Sequence, residues 1–471
     1  MLDKGIRIEL EESSSNIKYF LIKWLQEFGS SESVEKSVID ISATLGVSKD
    51  VVTKATAYLT ANGYFEKKTV LTTKRWSRCS FKCSSKLKNE LDNLGEGKAS
   101  HHVALIKHLM VNDIQKRGGK EVKRHSLDLS PRLLLIILLR NANECGVVDT
   151  LGLADLAKLT GLSKVSVKAR IEHLLKRGYI RSYISGVTGR HIYHRSPGVF
   201  YINLKHPNYA LDQKTGLTTC IQSNTIGKNP VEARAMYTIA KQILTMNRNE
   251  HTSNESMLKL ESNFRDRLFF SLPLKDYIEL ASFFDDQLMY SKVREFMQAK
   301  IDSYASKLLS EQWYALFEGR IVESDLMKKR IARDTFGKKF DEASEAGIFP
   351  SKQQKEGLVN FLFETSVSLA KRMQGQLSKI TKVNLGKMNH VILPAPNSND
   401  FRLLVGIDSF DKVDDKSNRN KYIKVNADYV EPLKATIAKE YEISLEEEHL
   451  YGLLTEPEKK IFSVGGKTIT L

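Results

Sequence analysis

One stretch of this chain is written twice. Residues 159–180 read Leu-Thr-Gly-Leu-Ser-Lys-Val-Ser-Val-Lys-Ala-Arg-Ile-Glu-His-Leu-Leu-Lys-Arg-Gly-Tyr-Ile. In a register 115 positions earlier, Gly46 falls on Gly161, Ser48 on Ser163, Lys49 on Lys164, Leu59 on Leu174, and Gly63-Tyr64 on Gly178-Tyr179. The shared residues are the punctuation of two short helices joined by a sharp turn. A glycine makes the sharp turn, and a serine two residues later caps the next helix. On that helix Val167, Ile171, Leu174 and Leu175 fall at i, i+4, i+7 and i+8, one apolar face. Gly178 then supplies a left-handed exit.

The flanks extend the parallel. Ser130-Pro131 marks a helix start, with Ser as cap and Pro in the first turn, and the apolar run continues to Asn141. Leu153, Leu156, Ala157 and Leu159 mark the helix before the turn. Strand-like runs cover 179–184 and 199–204, separated by the basic stretch Gly189-Arg190-His191-Ile192-Tyr193-His194-Arg195. In the first copy the helices are expected over 17–28, 37–45 and 49–61. They lead into a hairpin from Tyr64 to about Leu87 that carries Lys67, Lys68, Lys74, Arg75, Arg78, Lys82, Lys86 and Lys88.

Three helices and a basic hairpin, twice over, resemble bacterial winged helix-turn-helix proteins of the MarR and GntR kind. The resemblance rests on Leu-Thr-Gly-Leu-Ser, Leu-Leu-Lys-Arg-Gly-Tyr-Ile and the basic wing. It covers about 165 residues and leaves 211–471 unaddressed. It implies double-stranded DNA as partner, with the third helix of each unit facing the major groove. On the second unit that helix offers Lys164, Ser166, Lys168, Arg170 and His173, with Arg190, His191 and Arg195 on its wing. On the first it offers the less charged set Lys49, Thr53 and Lys54, and the more basic wing of Lys67, Lys68, Lys74, Arg75 and Arg78. The expectation is that the second unit reads sequence and the first wing holds phosphates. Arg170→Ala would then relax sequence preference, and Lys74→Ala with Arg75→Ala would weaken binding to every sequence.

Charge placement agrees with that division. Residues 1–210 hold 34 Lys and Arg against 20 Asp and Glu, a balance of +14, whereas 211–471 hold 38 against 36. A positive charge kept for solubility alone would have no reason to segregate with the repeat; a polyanion-binding half would. The chain has no apolar run near the ~18 residues of a membrane span. Its start, Met-Leu-Asp-Lys-Gly, has no apolar signal core. A cytoplasmic, nucleoid-associated protein with no membrane partner is expected. Cys79, Cys83, Cys145 and Cys220 do not make a disulfide framework, and Cys79/Cys83 with His101/His102 lack convincing zinc spacing.

The expected architecture is mainly α with small β wings: two winged-helix domains, a helical domain and a small α+β C-terminal unit. The boundaries are 1–99, a helical and basic connector 100–128, 129–210, a linker 211–230 rich in Thr, Ser, Gly and Asn, a helical domain 231–380, and the unit 381–471. In the helical domain Leu358, Phe361, Leu362, Thr365, Leu369 and Met373 form a stripe suited to a core or a homodimer interface. His390–Leu393 pairs with Phe401–Ile407 as strands, and Ile461–Leu471 turns at Gly465-Gly466.

Gly465-Gly466-Lys467-Thr468 is not a phosphate loop, because Ile461 stands where a glycine is needed and no helix follows. No nucleophile elbow, His-Glu-x-x-His or relaxase-like histidine pair is present, and Asp285-Asp286 and Asp414-Asp415 read as solvated carboxylates. No enzyme activity, cofactor or metal is expected. The leading expectation is a transcriptional regulator that reads an extended site. The alternatives are a plasmid or phage replication initiator, since some theta-type initiators also use two winged helices, and an assembly or defence component whose winged helices dock protein.

Overall fold

The computed structural model describes residues 2–10, 13–71, 77–97, 100–111, 114–117, 120–123, 127–189, 191–204, 206–209, 218–223, 232–248, 274–285, 291–318, 324–340, 350–380, 386, 388–394, 401–408, 422–427, 461–464 and 467–470. It is mainly helical with small sheets, and divides into two compact units, 1–180 with 202–211 and 181–201 with 212–471.

In the first unit α1 (Leu2–Arg7) precedes the first repeat. That repeat runs α2 (Ser15–Glu27), β1 (Ser33–Glu35), α3 (Val38–Leu45), α4 (Lys49–Ala61), β2 (Phe65–Leu71) and β3 (Ser77–Cys83), followed by α5 (Ser85–Asn93). After α6 (Val103–Met110) and the hairpin β4 (Ile114–Arg117) and β5 (Lys120–Lys123) comes the second repeat. It runs α7 (Leu129–Asn141), β6 (Val147–Val148), α8 (Leu153–Thr160), α9 (Lys164–Lys176), β7 (Ile180–Ile184) and β8 (Val199–Ile202). The two sheets have the same strand order, β1-β3-β2 and β6-β8-β7.

The shared residues act as their chemistry requires. Gly46 and Gly161 take φ of 64° and 67° between the helix pairs, where a Cβ is strained. At Gly161 a Cβ would also lie 2.7 Å from the Ser13 carbonyl oxygen. Ser48 and Ser163 then cap α4 and α9, their Oγ atoms accepting from Val51 N at 3.3 Å and Ser166 N at 3.2 Å. Gly63 and Gly178, both beyond φ 70°, end the same helices.

Three local features differ from expectation. Asp128, not Ser130, occupies the N-cap of α7, so Pro131 lies in the first turn, where its missing N–H costs nothing. The first hairpin ends at Cys83, because Ser84 caps α5 by accepting from Leu87 N; Lys86 and Lys88 therefore sit on a helix. The connector 100–128, expected to be helical and basic, forms the short helix α6, and its Ile114–Arg117 pairs with Lys120–Lys123 as strands.

The helices opening the repeats bury different things. Trp24 of α2 packs with Phe65 at 4.8 Å and Phe81 at 6.4 Å between ring centroids. Seven successive apolar residues of α7, Leu133 to Leu139, are all fully buried, which marks a helix enclosed on every side. Each such side chain contributes about 1.5–3 kcal/mol of burial.

The second unit holds Arg181–Tyr201, which is most of β7 and β8 with the loop between them, then β9 (Thr218–Ser223) and the helices α10 (Glu232–Arg248), α11 (Leu274–Asp285), α12 (Ser291–Glu311), α13 (Trp313–Glu318), α14 (Ser324–Phe336) and α15 (Lys352–Ile380). The α15 stripe from Leu358 to Met373 is buried. Buried Glu232 is ion-paired to Arg372, and Gln298 Nε2 donates to both Glu232 Oε2 and Asp302 Oδ1 at 2.8 Å. The sheet contains β10 (Met388–Ile392), β11 (Phe401–Asp408), β12 (Tyr422–Ala427), β13 (Ile461–Val464) and β14 (Lys467–Thr470), in the order β10-β11-β9-β12-β13-β14.

Strand β9 falls inside the stretch 211–230 expected as linker. It runs antiparallel to β11 and parallel to β12, an interior position in the sheet. β10–β11 and β13–β14 pair as expected, and the Gly465-Gly466 turn lies outside the described residues. Among the described residues no helix is long and apolar enough to cross a membrane.

Candidate nucleic-acid interface

The face of α9 away from the core carries Lys164, Val165, Lys168, Ala169, Glu172 and Lys176, all exposed. Val167, Ile171 and Leu174 fix this orientation by filling the opposite side. No carboxylate among the described residues forms an ion pair with Lys164, Lys168 or Lys176. Val165 is 79% exposed in the first turn, a β-branched apolar side chain where neither propensity nor packing favours one.

The other expected residues of this helix are differently employed. Ser166 N and Oγ both interact with the Ser163 hydroxyl, so Ser166 serves the cap. Arg170 is half-buried, as is His173. Burial, followed by Arg177 and Arg170, lowers the His173 pKa, and Asp128 pulls it the other way.

The matching face of α4 carries Lys49, Asp50, Thr53, Lys54 and Ala57, all exposed. Asp50 and Lys54 form an ion pair at 2.9 Å across one turn. Thr53 Oγ1 donates to the Lys49 carbonyl at 3.0 Å. An acid thus stands where the second repeat has Val165, and it neutralises one of the two lysines beside it.

The hairpins differ in the opposite sense. Lys67 pairs with Phe81 and Lys68 with Ser80 in the β2–β3 register, and 66–69 are exposed in succession, so this part of the ribbon is wetted on both faces. Arg78 pairs with Val70; Lys74 and Arg75 lie outside the described residues. Between β7 and β8 the chain makes one bridge, Val187 with Ser196, and then folds inward. Tyr193 is 1% exposed at a φ of 53°, a strained setting for a bulky residue. Its N–H donates to the Thr335 carbonyl at 2.7 Å, and its ring meets Phe296 edge-on at 5.1 Å. Ile192 is buried beside it, His191 is half-buried and Arg195 is exposed; Arg190 lies outside the described residues. This loop is anchored on α12 and α14.

Val165, Glu172 and Lys176 were not among the residues expected at the interface. Their signal was in the periodicity, since all three lie off the apolar face of α9. No group of three or more metal-ligating side chains occurs among the described residues. The Cys83 thiol is pushed up to about 11 by burial, and His102 Nε2 is engaged by the Asn143 carbonyl at 2.7 Å. Comparison with protein-family models and with curated proteins yields no match to this chain.

Proposed function

We propose that the chain is a sequence-specific double-stranded DNA-binding protein whose two repeats are winged helices, acting as a transcriptional regulator. The observation that carries this is the α9 face: three unneutralised lysines around an exposed valine, on a helix capped and oriented by the residues the repeat shares. Lys164 and Lys168 suit phosphates or guanine edges, Glu172 suits a cytosine amino group, and Val165 suits the C5 methyl of thymine. The exposed lysines of β2 add phosphate affinity without base preference. Segregation of +14 of the net charge into residues 1–210 supplies the field that draws such a partner.

Selection of binding sites from random duplexes with the full chain tests the proposal, and a recurring motif is expected. Within it, replacing one thymine by deoxyuridine should lower affinity several-fold for the native chain and leave Val165→Ala unaffected. Binding that is equal for all duplexes, or absent at low salt, would sink the proposal.

A further inference from the structure

We infer that the two repeats are packed about a local two-fold axis, as a dimer within one chain, and so read two half-sites inverted with respect to each other. This rests on the DNA-binding proposal. The first observation is the contact between the helices that open the repeats. Their N-caps, Ser14 and Asp128, set a register of 114 positions, which makes Lys18 the counterpart of Arg132 and Asn16 that of Ser130. Both members of the cationic pair are buried, at 0% and 1% exposure. Ser15 Oγ and Ser130 Oγ are hydrogen-bonded at 2.7 Å, and the Arg132 guanidinium lies 5.2 Å from the centre of the Tyr19 ring. In common register, position 15 meets 16 and position 19 meets 18.

Equals therefore face near-equals. Two copies related by a translation present one face in the same direction, so a residue of one meets the opposite side of the other. A rotation close to a half-turn is what brings a surface against itself.

The second observation is a reciprocal exchange. Helix α1 packs on α2, and its Asp3 is ion-paired with Arg140 of α7. Helix α6 packs on α7, and its last carbonyl, Met110 O, accepts from Lys23 Nζ of α2 at 2.7 Å. Each helix leading into one repeat is thus held by the first helix of the other. Reciprocity of this kind is the mark of an isologous interface.

A half-turn that relates the repeats also relates α4 to α9, and reading helices so related take inverted half-sites. The halves need not share a sequence, because the exposed faces of the helices differ.

The test makes the faces alike. Asp50→Val, Thr53→Lys, Lys54→Ala, Ala57→Glu and Ala61→Lys give α4 the exposed residues of α9 at positions that lie in water. The full-length variant should prefer an inverted repeat of the α9 half-site over a direct repeat at the same spacing by tenfold or more. Equal or better binding to the direct repeat would overturn the inference. Should the variant be unfolded by circular dichroism, the native chain decides by hydroxyl-radical footprinting on its selected site. Protection symmetric about a centre supports the two-fold, and a pattern repeated in one direction refutes it. If the native chain selects no site at all, the DNA-binding proposal fails instead.

Discussion

The two repeats have the same strand order and helix punctuation, yet each exposes what the other withholds. The first has a hairpin with exposed lysines and a helix whose acid, Asp50, ties up Lys54. The second has a helix whose lysines have no carboxylate partner among the described residues, and a hairpin loop whose tip, Tyr193, is buried against α12. The punctuation that makes the fold is separable from the surface that each repeat presents. Glycine and serine at the turn fix backbone geometry, while the outward positions are free to diverge.

The largest expected effect concerns the helices beneath these surfaces. Lys18 is fully buried, and burial lowers its pKa from 10.5 to about 7, with Glu9 opposing. The unfolded chain therefore binds this proton more readily than the folded one. Stability should fall as pH drops from about 10.5 to about 7, by roughly 5 kcal/mol, and this contribution should then level off. Lys18→Met should remove that slope and raise stability near neutral pH by several kcal/mol. Urea unfolding at pH 7 and pH 9 checks this, and a variant no more stable than the parent would show that Lys18 is compensated.

Tyr193→Ala follows, at about 3–4 kcal/mol of destabilisation from a lost buried aromatic ring. An equal loss from Lys68→Ala in the exposed hairpin would erase the contrast between the two loops; thermal unfolding of both variants decides.

Next in size, Lys164→Ala with Lys168→Ala should weaken DNA binding by about 10- to 1000-fold, against about threefold or less for Lys49→Ala with Lys54→Ala. Fluorescence anisotropy at fixed salt measures both, and equal losses would mean that the helices share the reading.

Lys67→Ala with Lys68→Ala should weaken binding to all sequences alike and flatten the salt dependence by about two counterions. A change in sequence preference instead would assign the first hairpin a base contact. The smallest effect is Asp50→Asn, which frees Lys54 and should tighten binding by a few-fold at most. Competition assays at low salt resolve it, and weaker binding would make Asp50 itself a contact.

Much of this was legible in the sequence because it is written locally. The α4 boundaries, the cap at Ser163, the left-handed exit at Gly178 and the α15 stripe follow from residues within a turn or two of one another. What was not legible depends on distant partners. Strand β9 hides in a Thr- and Ser-rich stretch, and its status comes from β11, about 180 residues later. The basic segment 189–195 has the composition of a wing, but its tyrosine is claimed by Phe296 and Thr335. Arg170 is a cation on a reading helix by sequence, and half-buried by packing.

By itself the sequence determined that this chain makes the same turn-bounded helix pair twice and concentrates its positive charge there, because caps, turns and periodicity act over a few residues. The tertiary structure decided that the loop between β7 and β8 is claimed by Phe296 and Thr335, and that the helices opening the two repeats meet at Ser15 and Ser130. These outcomes depend on contacts between residues a hundred or more positions apart, and no local pattern encodes which surface a side chain will find.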